Sequence, residues 1–168
     1  MAIGSSAMCG TFKREILAGI HRLTAHTRAS STISADTFKV AMFTNSASID
    51  AETTGDTTSN EVSGTNYSAG GATLSSVTIG LADNSSAVPT AFVDFADTTF
   101  SSSTISSARG ALIYNSTLSS AGTGSTTNHA ADPAVAVINF GGDKSSSAGD
   151  FTIQYPANDA NNAIIRIS

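Results

Sequence analysis

The chain has 168 residues, which is enough for one domain with a sizeable buried core and short for two. Charged side chains make up only 12% of it, against about 25% in an average globular protein, whereas 27 serines and 22 threonines supply most of the polar surface. With a net charge of −5 and no dense cluster of lysines and arginines, we expect no nucleic-acid partner, and the scarcity of ionisable groups argues against an enzyme.

The charge is unevenly distributed along the chain. Residues 1–40 carry a net charge of +3, and the remaining 128 residues carry −8. The basic segment is either a solvated helix face or a surface that docks on an acidic neighbour.

The single cysteine, Cys9, excludes an internal disulfide and a thiolate metal cluster. The chain has no signal-peptide pattern and no apolar run of membrane-spanning length, so we expect no membrane partner.

One segment near the start has helical periodicity. Its apolar stripe consists of Phe12, Ile16, Ile20 and Leu23, and Thr11 is the expected N-cap residue. Because Gly19 weakens this short helix by about 1 kcal/mol, the stripe needs a packing partner, either the chain's own sheet or another subunit. We therefore divide the chain into an N-terminal arm with a short amphipathic helix, residues 1–35, and a β-domain, residues 36–168.

From residue 37 onward the hydrophobic period changes to two, which indicates β-strands. The segments that fit this period are 37–44, 72–80, 90–96, 110–116, 134–140, 150–155 and 163–167. Polar stretches at 45–71, 117–133 and 141–149 read as long loops. Short alternating strands with polar loops predict a mainly β protein, a single antiparallel β-sandwich of jelly-roll or immunoglobulin-like type.

The strand pattern also predicts the core. The residues expected inside are Phe38, Val40, Val93, Phe95, Ile113, Val137, Ile138, Ile153 and Ile165. Asp94, between two apolar neighbours in an alternating strand, is expected to face solvent or to pair across a strand.

Residues with catalytic or ligand-binding potential form no known pattern. His21 and His26 are five apart, which fits a shared zinc ion on a helix poorly, and no G-x-S-x-G elbow or phosphate loop occurs. The glycine pairs at 70–71 and 141–142 read as turns, and the aspartate pairs 94/97 and 143/150 lack a calcium-loop pattern. We expect no catalytic residue, no cofactor and no metal.

Four stretches of the chain, taken together, resemble a family of small structural proteins of tailed bacteriophages. They are TFKVAMFTNSASID (37–50), NEVSGTNYSAGGATL (60–74), TAFVDFADTTFSSSTISSARGALIYN (90–115) and AVAVINFGGDKSSSAGDFTIQYP (134–156). The family reads D-T-F-K-V-A-L-Y, then E-V-x-x-x-G-Y-x-x-G-G-x-x-L, then A-R-x-A-x-I-Y, then V-x-F-G-G-D followed by T-F-T-I. The likeness covers most of residues 36–167. Two positions depart from it: Phe100 stands where the family has Trp, and Asn66 precedes Tyr67 where the family has Gly.

The resemblance implies a virion component without an active site, made in the cytoplasm of a bacterial host. The first expectation is a capsid decoration, or cement, protein on the capsid exterior, which binds the major capsid protein and copies of itself, with a trimer as a common arrangement. The alternatives are a tail, neck or fibre-base component, a carbohydrate-binding β-domain that attaches the particle to a host surface and, last, an enzyme that cleaves a glycan.

For an assembly role, the expected partner-binding residues lie in the N-terminal arm. The apolar stripe would insert into a neighbour, and basic side chains beside it would contact acidic groups. These residues are Phe12, Arg14, Ile16, Ile20, Arg22, Leu23 and Arg28.

Overall fold

A computed structural model describes residues 3–82, 89–123 and 128–168, except for the side chain of Arg28. Within these residues there are eleven β-strands and one short α-helix. In chain order they are β1 (Ala7–Met8), α1 (Gly10–Leu17), β2 (His26–Arg28), β3 (Ser31–Ile33), β4 (Phe38–Phe43), β5 (Gly64–Thr65), β6 (Ala72–Thr73), β7 (Thr78–Ala82), β8 (Thr90–Asp94), β9 (Thr98–Asn115), β10 (Ala134–Ile153) and β11 (Ile165–Ile167).

The strands form two sheets and one separate hairpin. The main sheet has the order β1-β10-β9-β4-β6, with β5 also paired to β9. The second sheet has the order β11-β8-β7, and β2 pairs with β3. Every pairing between these strands is antiparallel. The fold is therefore mainly β and sandwich-like, as the strand pattern predicts.

The core lies where the two sheets meet. In the main sheet Val40 pairs with Ile113, and Ile113 pairs with Ala136, so three neighbouring strands bury small and branched side chains side by side. The ring of Phe38 on β4 lies 6.3 Å from the ring of Phe95, which follows β8. All the residues expected in the core are buried except Ile138, which is partly buried and packs against the core.

Strands β9 and β10 are far longer than their hydrophobic patterns indicate. They have 18 and 20 residues, and segment 141–149, expected as a loop, is part of β10. This segment pairs with the first half of β9 through register shifts, with Ser146 opposite Ile105. Serine side chains support the ribbon: the hydroxyls of Ser103 and Ser146 lie 2.8 Å apart. The loop prediction is wrong because none of residues 141–149 is buried, so this segment has no hydrophobic period to detect.

The segment predicted as one strand over 72–80 is divided between the two sheets. β6 pairs with β4 in the main sheet, and β7 pairs with β8 in the second sheet. Between them Leu74 is buried and Ser76 has a φ of 51°, a left-handed conformation that interrupts an extended strand. The continuous strand is therefore a wrong prediction, although both ends of the segment are extended.

The N-terminal segment shares the core of the main body. Residue Ala7 of β1 pairs with Val137, and the side chains of Cys9 and Phe12 are fully buried. Cys9, not Thr11, occupies the N-cap position, and it makes no side-chain cap. The helix ends at Leu17, and Gly19 follows it with a φ of 70° in a Schellman arrangement, which leaves the last two residues of the predicted stripe beyond the helix. In the part of the chain that the structure describes, no helix is long and apolar enough to cross a membrane.

Candidate functional site

The predicted apolar stripe is mostly turned toward the core of its own chain. Phe12 is completely buried, with its ring 4.8 Å from the ring of His21. Ile16 and Leu23 are partly buried and pack against the core, and Ile20 is also partly buried. The exposed apolar side chain of the helix is Leu17, which does not belong to the stripe. Partner binding through Ile16, Ile20 and Leu23 remains a prediction for their exposed parts.

The two described arginines of the predicted partner surface already have partners within the chain. Nε and Nη2 of Arg22 lie 2.9 and 2.8 Å from Oδ1 of Asp36, whose side chain is fully buried. Nη2 of Arg14 lies 3.4 Å from Oε1 of Glu15 and also donates to the backbone oxygen of Asn128. The side chain of Arg28, the third predicted contact, lies outside the described residues.

A buried polar network joins the helix to the main sheet. Nε2 of His21 lies 2.8 Å from Oε2 of Glu15, and Nδ1 of His21 lies 3.0 Å from the amide nitrogen of Asn115. The same amide nitrogen donates to Asp36 at 2.8 Å. Because Asn115 can only donate through this nitrogen, Nδ1 of His21 accepts and Nε2 carries the proton that faces Glu15. Burial lowers the pKa of His21, which favours this neutral form.

This network has the residue types of a catalytic dyad but no access for a substrate. The side chains of His21 and Glu15 are 0% and 1% exposed. A general acid or base must come within hydrogen-bond reach of the reacting group, which a closed site does not allow. The network therefore supports the position of the helix on the sheet.

A second cluster connects the 60–71 segment to β4 and β9. The hydroxyl of Tyr67 donates to Oε1 of Glu61 at 2.7 Å and accepts the backbone N–H of Met42 at 2.8 Å. The same Glu61 oxygen accepts the N–H of Gly70, and the hydroxyl of Tyr114 donates to the carbonyl of Gly70, both at 2.7 Å. Burial raises the pKa of Tyr67, which keeps its hydroxyl protonated and able to donate. We call these five residues the tyrosine cluster.

Other residues from the four family-like stretches also have structural contacts. Gly71 has a φ of 67°, and a Cβ on it would lie 1.8 Å from the carbonyl oxygen of Val40, so the chain requires glycine there. Across β9 and β10, Nε of Arg109 lies 2.6 Å from Oδ1 of Asp143. Polar residues of these stretches thus make contacts within the chain.

The remaining candidates for chemistry are either separated or buried. Among the described residues, no three His, Cys, Asp or Glu side chains gather as a metal site. Burial raises the pKa of the Cys9 thiol to about 12, which leaves it unreactive at neutral pH. Asp94, expected at the surface or paired across a strand, is instead buried at 5% exposure, and its Oδ1 has no hydrogen-bond partner. Burial raises the pKa of this carboxyl group.

The second sheet carries an exposed apolar patch that sequence reasoning missed. Leu81, Ala91 and Ile167 lie side by side across its three strands, and Ile79 lies beside Val93 in the next row. Leu81 is 70% exposed, and Ile79 and Ile167 are 49% and 48% exposed. Directly paired residues share a face, so this patch continues the face that buries Val93. The alternation in TIGLA (78–82) was the available signal, but the predicted strand ended at Gly80.

An open groove of about 730 Å³ lies between the β1 and β10 side of the main sheet and β11. Its lining includes Lys13, Gln154, Tyr155, Asn162 and Arg166. Amide, cationic and aromatic groups together are able to hold a polar ligand such as a sugar.

Neither the protein-family models, nor the curated proteins, nor the solved structures gave a match to this chain.

Proposed function

We propose that this protein is a structural component of a tailed-bacteriophage virion, a capsid decoration protein that stabilises the shell by bridging neighbouring capsid subunits. One observation carries the proposal. The polar residues of the family-like stretches, among them Glu61, Tyr67, Arg109 and Asp143, bind one another inside the chain. Contacts of this kind hold a fold, which is what a structural protein requires of its polar residues.

The distribution of ionisable groups also favours this class of function over an enzyme. Among the described residues, the histidine and carboxylate that lie close enough for proton transfer, His21 and Glu15, are sealed in the core. The surface relies instead on serine and threonine. The ribbon of β9 and β10 exposes Ser101, Ser106, Ser145 and Ser147, which bind water or a partner without carrying charge.

The shape of the ribbon suits a bridging role. The first half of β9, residues 98–109, is extended and pairs with β10, so at about 3.3 Å per residue it reaches at most about 40 Å. A cement protein adds to shell stability by burying surface across the seam between two capsid subunits. The exposed side chains of the ribbon and the apolar patch on the second sheet give surface to bury.

The decisive experiment is the copy number of this protein per particle, measured by quantitative mass spectrometry of purified virions against the major capsid protein. Hundreds of copies in fixed ratio to the capsid protein support decoration. A handful of copies in multiples of three or six would contradict it and support a tail, neck or fibre-base component. Absence from the virion would contradict both.

The groove favours a second candidate function, the binding of a host-surface carbohydrate. Tyr155 would stack on a sugar ring, and Gln154 and Asn162 would bind its hydroxyl groups. A glycan array with the purified chain tests this: binding that Tyr155→Ala removes supports it. A chain that binds no glycan on the array contradicts it.

A further inference from the structure

The edges of the sheets differ in how well they are protected against pairing with another strand. At the end of the second sheet, β11 carries Arg166 at its centre, so two copies meeting there would place like charges together. Strand β10, whose pairing with β9 has several register shifts, includes Lys144 and Asp150. Charges and bulges of this kind are the usual means by which sheet edges avoid association.

The other edge of the second sheet has no such protection. In the described part of the chain, β7 pairs with β8 alone, so one side of its backbone is open. Its five residues, Thr78–Ala82, include no charge and no proline. Two of its side chains, Ile79 and Leu81, are the exposed apolar residues of the patch. An uncharged, apolar and unpaired edge strand is a site for strand addition.

The sequence of β7 is complementary to itself. If two copies pair antiparallel with Gly80 opposite Gly80, then Ile79 of each copy faces Leu81 of the other, on the same side of the sheet. Thr78 then faces Ala82 on the opposite side. No like charges meet, and the apolar row that runs through Ala91 to Ile167 continues into the second copy.

An aromatic ring covers Gly80, the residue at the centre of this pairing. A Cβ on Gly80 would lie 2.2 Å from the ring of Phe92, so this ring covers the glycine on the face opposite Ile79. Two such rings would flank the symmetry axis of a pair and cover the region where Gly80 leaves a gap. Aromatic cover over an edge glycine is a known way to stabilise a strand register.

We propose that β7 is a homodimer interface, through which two copies of this chain join their second sheets into one six-stranded sheet about a twofold axis at Gly80. The inference deepens the proposed function, because it assigns the surface through which copies of the protein meet. A second copy is favoured over an unrelated strand because the register is self-complementary in both shape and charge.

The test is sedimentation of the full chain over a range of concentrations, with Ile79→Lys and Leu81→Asp as separate variants. We expect a dimer for the parent chain, and dissociation constants at least about tenfold higher for each variant, since each places two charges opposite apolar residues. Thermal melting checks that the variants fold. We expect them to fold because both substituted side chains are exposed. The control is Leu17→Asp, at an 89% exposed apolar residue on the helix, which should leave the dimer intact.

Mixing the two variants makes the test specific to the register. In the proposed pairing, the lysine introduced by Ile79→Lys faces the aspartate introduced by Leu81→Asp, so the mixture should recover a heterodimer that neither variant forms alone. A parent chain that stays monomeric, a trimer unaffected by Leu81→Asp, or a mixture that fails to associate would each overturn the inference. The virion copy number is measured separately, so a failed interface and a failed virion role are distinguishable.

Discussion

Nε2 of His21 lies 2.8 Å from Oε2 of Glu15, and both side chains are closed off from solvent. The side-chain amide of Asn115 donates a hydrogen bond to the other ring nitrogen of His21, Nδ1. A proton added to His21 would turn that nitrogen into a second donor facing the Asn115 amide. The network therefore holds the imidazole neutral, in agreement with its lowered pKa.

This network predicts a loss of stability in mild acid. The folded pKa of His21 is lowered, so below the unfolded value of about 6.5 the unfolded chain takes up a proton that the folded chain resists. We expect the free energy of unfolding attributable to His21 to be constant above that pH and to fall as the pH drops below it. Urea denaturation between pH 5 and 8 measures this dependence.

The variant His21→Gln separates this effect from other titrations. Glutamine retains a donor for Glu15 but does not titrate, so the difference in pH slope between parent and variant belongs to His21. The control is His26→Gln, a substitution at an exposed histidine that leaves the network of His21 intact. A parent and a His21→Gln variant with the same slope would contradict the assignment of a neutral, buried imidazole.

Two ion pairs of the chain should differ sharply in their effect on stability. The side chain of Asp36 is 0% exposed, whereas those of Arg109 and Asp143 are 29% and 47% exposed. Asp36→Ala leaves Arg22 and Asn115 without their partner and should cost about 3–5 kcal/mol. Arg109→Ala should cost less than about 1 kcal/mol because water screens that pair. Chemical denaturation compares them, and equal losses would refute this view of Asp36.

The contribution of the tyrosine cluster to stability should depend mainly on the hydroxyl group of Tyr67. Tyr67→Phe leaves the buried N–H of Met42 without its acceptor and takes a donor from Glu61, which should lower the free energy of unfolding by about 1–3 kcal/mol. In the matched variant Tyr155→Phe, the lost contact to Thr98 is long, at 3.4 Å, and the loss should be smaller. If the Tyr155 variant lost as much stability as the Tyr67 variant, the cluster would have no special role.

Two glycines with similar backbone conformations should respond differently to alanine. Gly71 and Gly141 have φ values of 67° and 72°, so both substitutions introduce left-handed strain of about 1–2 kcal/mol. Only at Gly71 does the added methyl group meet the carbonyl oxygen of Val40, which forces β4 to move. We expect Gly71→Ala to lower the melting temperature much more than Gly141→Ala, and similar melting temperatures would show that the close approach at Gly71 is relieved at little cost.

Hydrophobic alternation predicted the strands that are rich in apolar residues, and it missed the parts of β9 and β10 that consist mostly of serine, threonine and glycine. Phe151 and Ile153 alternate with exposed Thr152, and this end of β10 could be predicted from the sequence. The serine-rich residues 141–149 could not be predicted as a strand, because their extended conformation comes from pairing with β9 rather than from any sequence pattern of their own. Asp94 was expected at the surface or in a cross-strand pair for a related reason. Alternation shows that a strand has two faces, but it does not show which of them the rest of the fold covers.

The sequence by itself determined the mainly β class and the burial of eight of the nine residues expected in the core, because an apolar period of two is a local property of the chain. Tertiary structure alone decided where the polar groups go. Asn115 is 94 residues from His21 and 79 from Asp36 in sequence, and these side chains meet only when the N-terminal segment docks on the main sheet. The exposed row at Leu81 likewise depends on how far the second sheet extends beyond the core. Contacts between distant residues depend on the packing of whole elements, which no local pattern encodes.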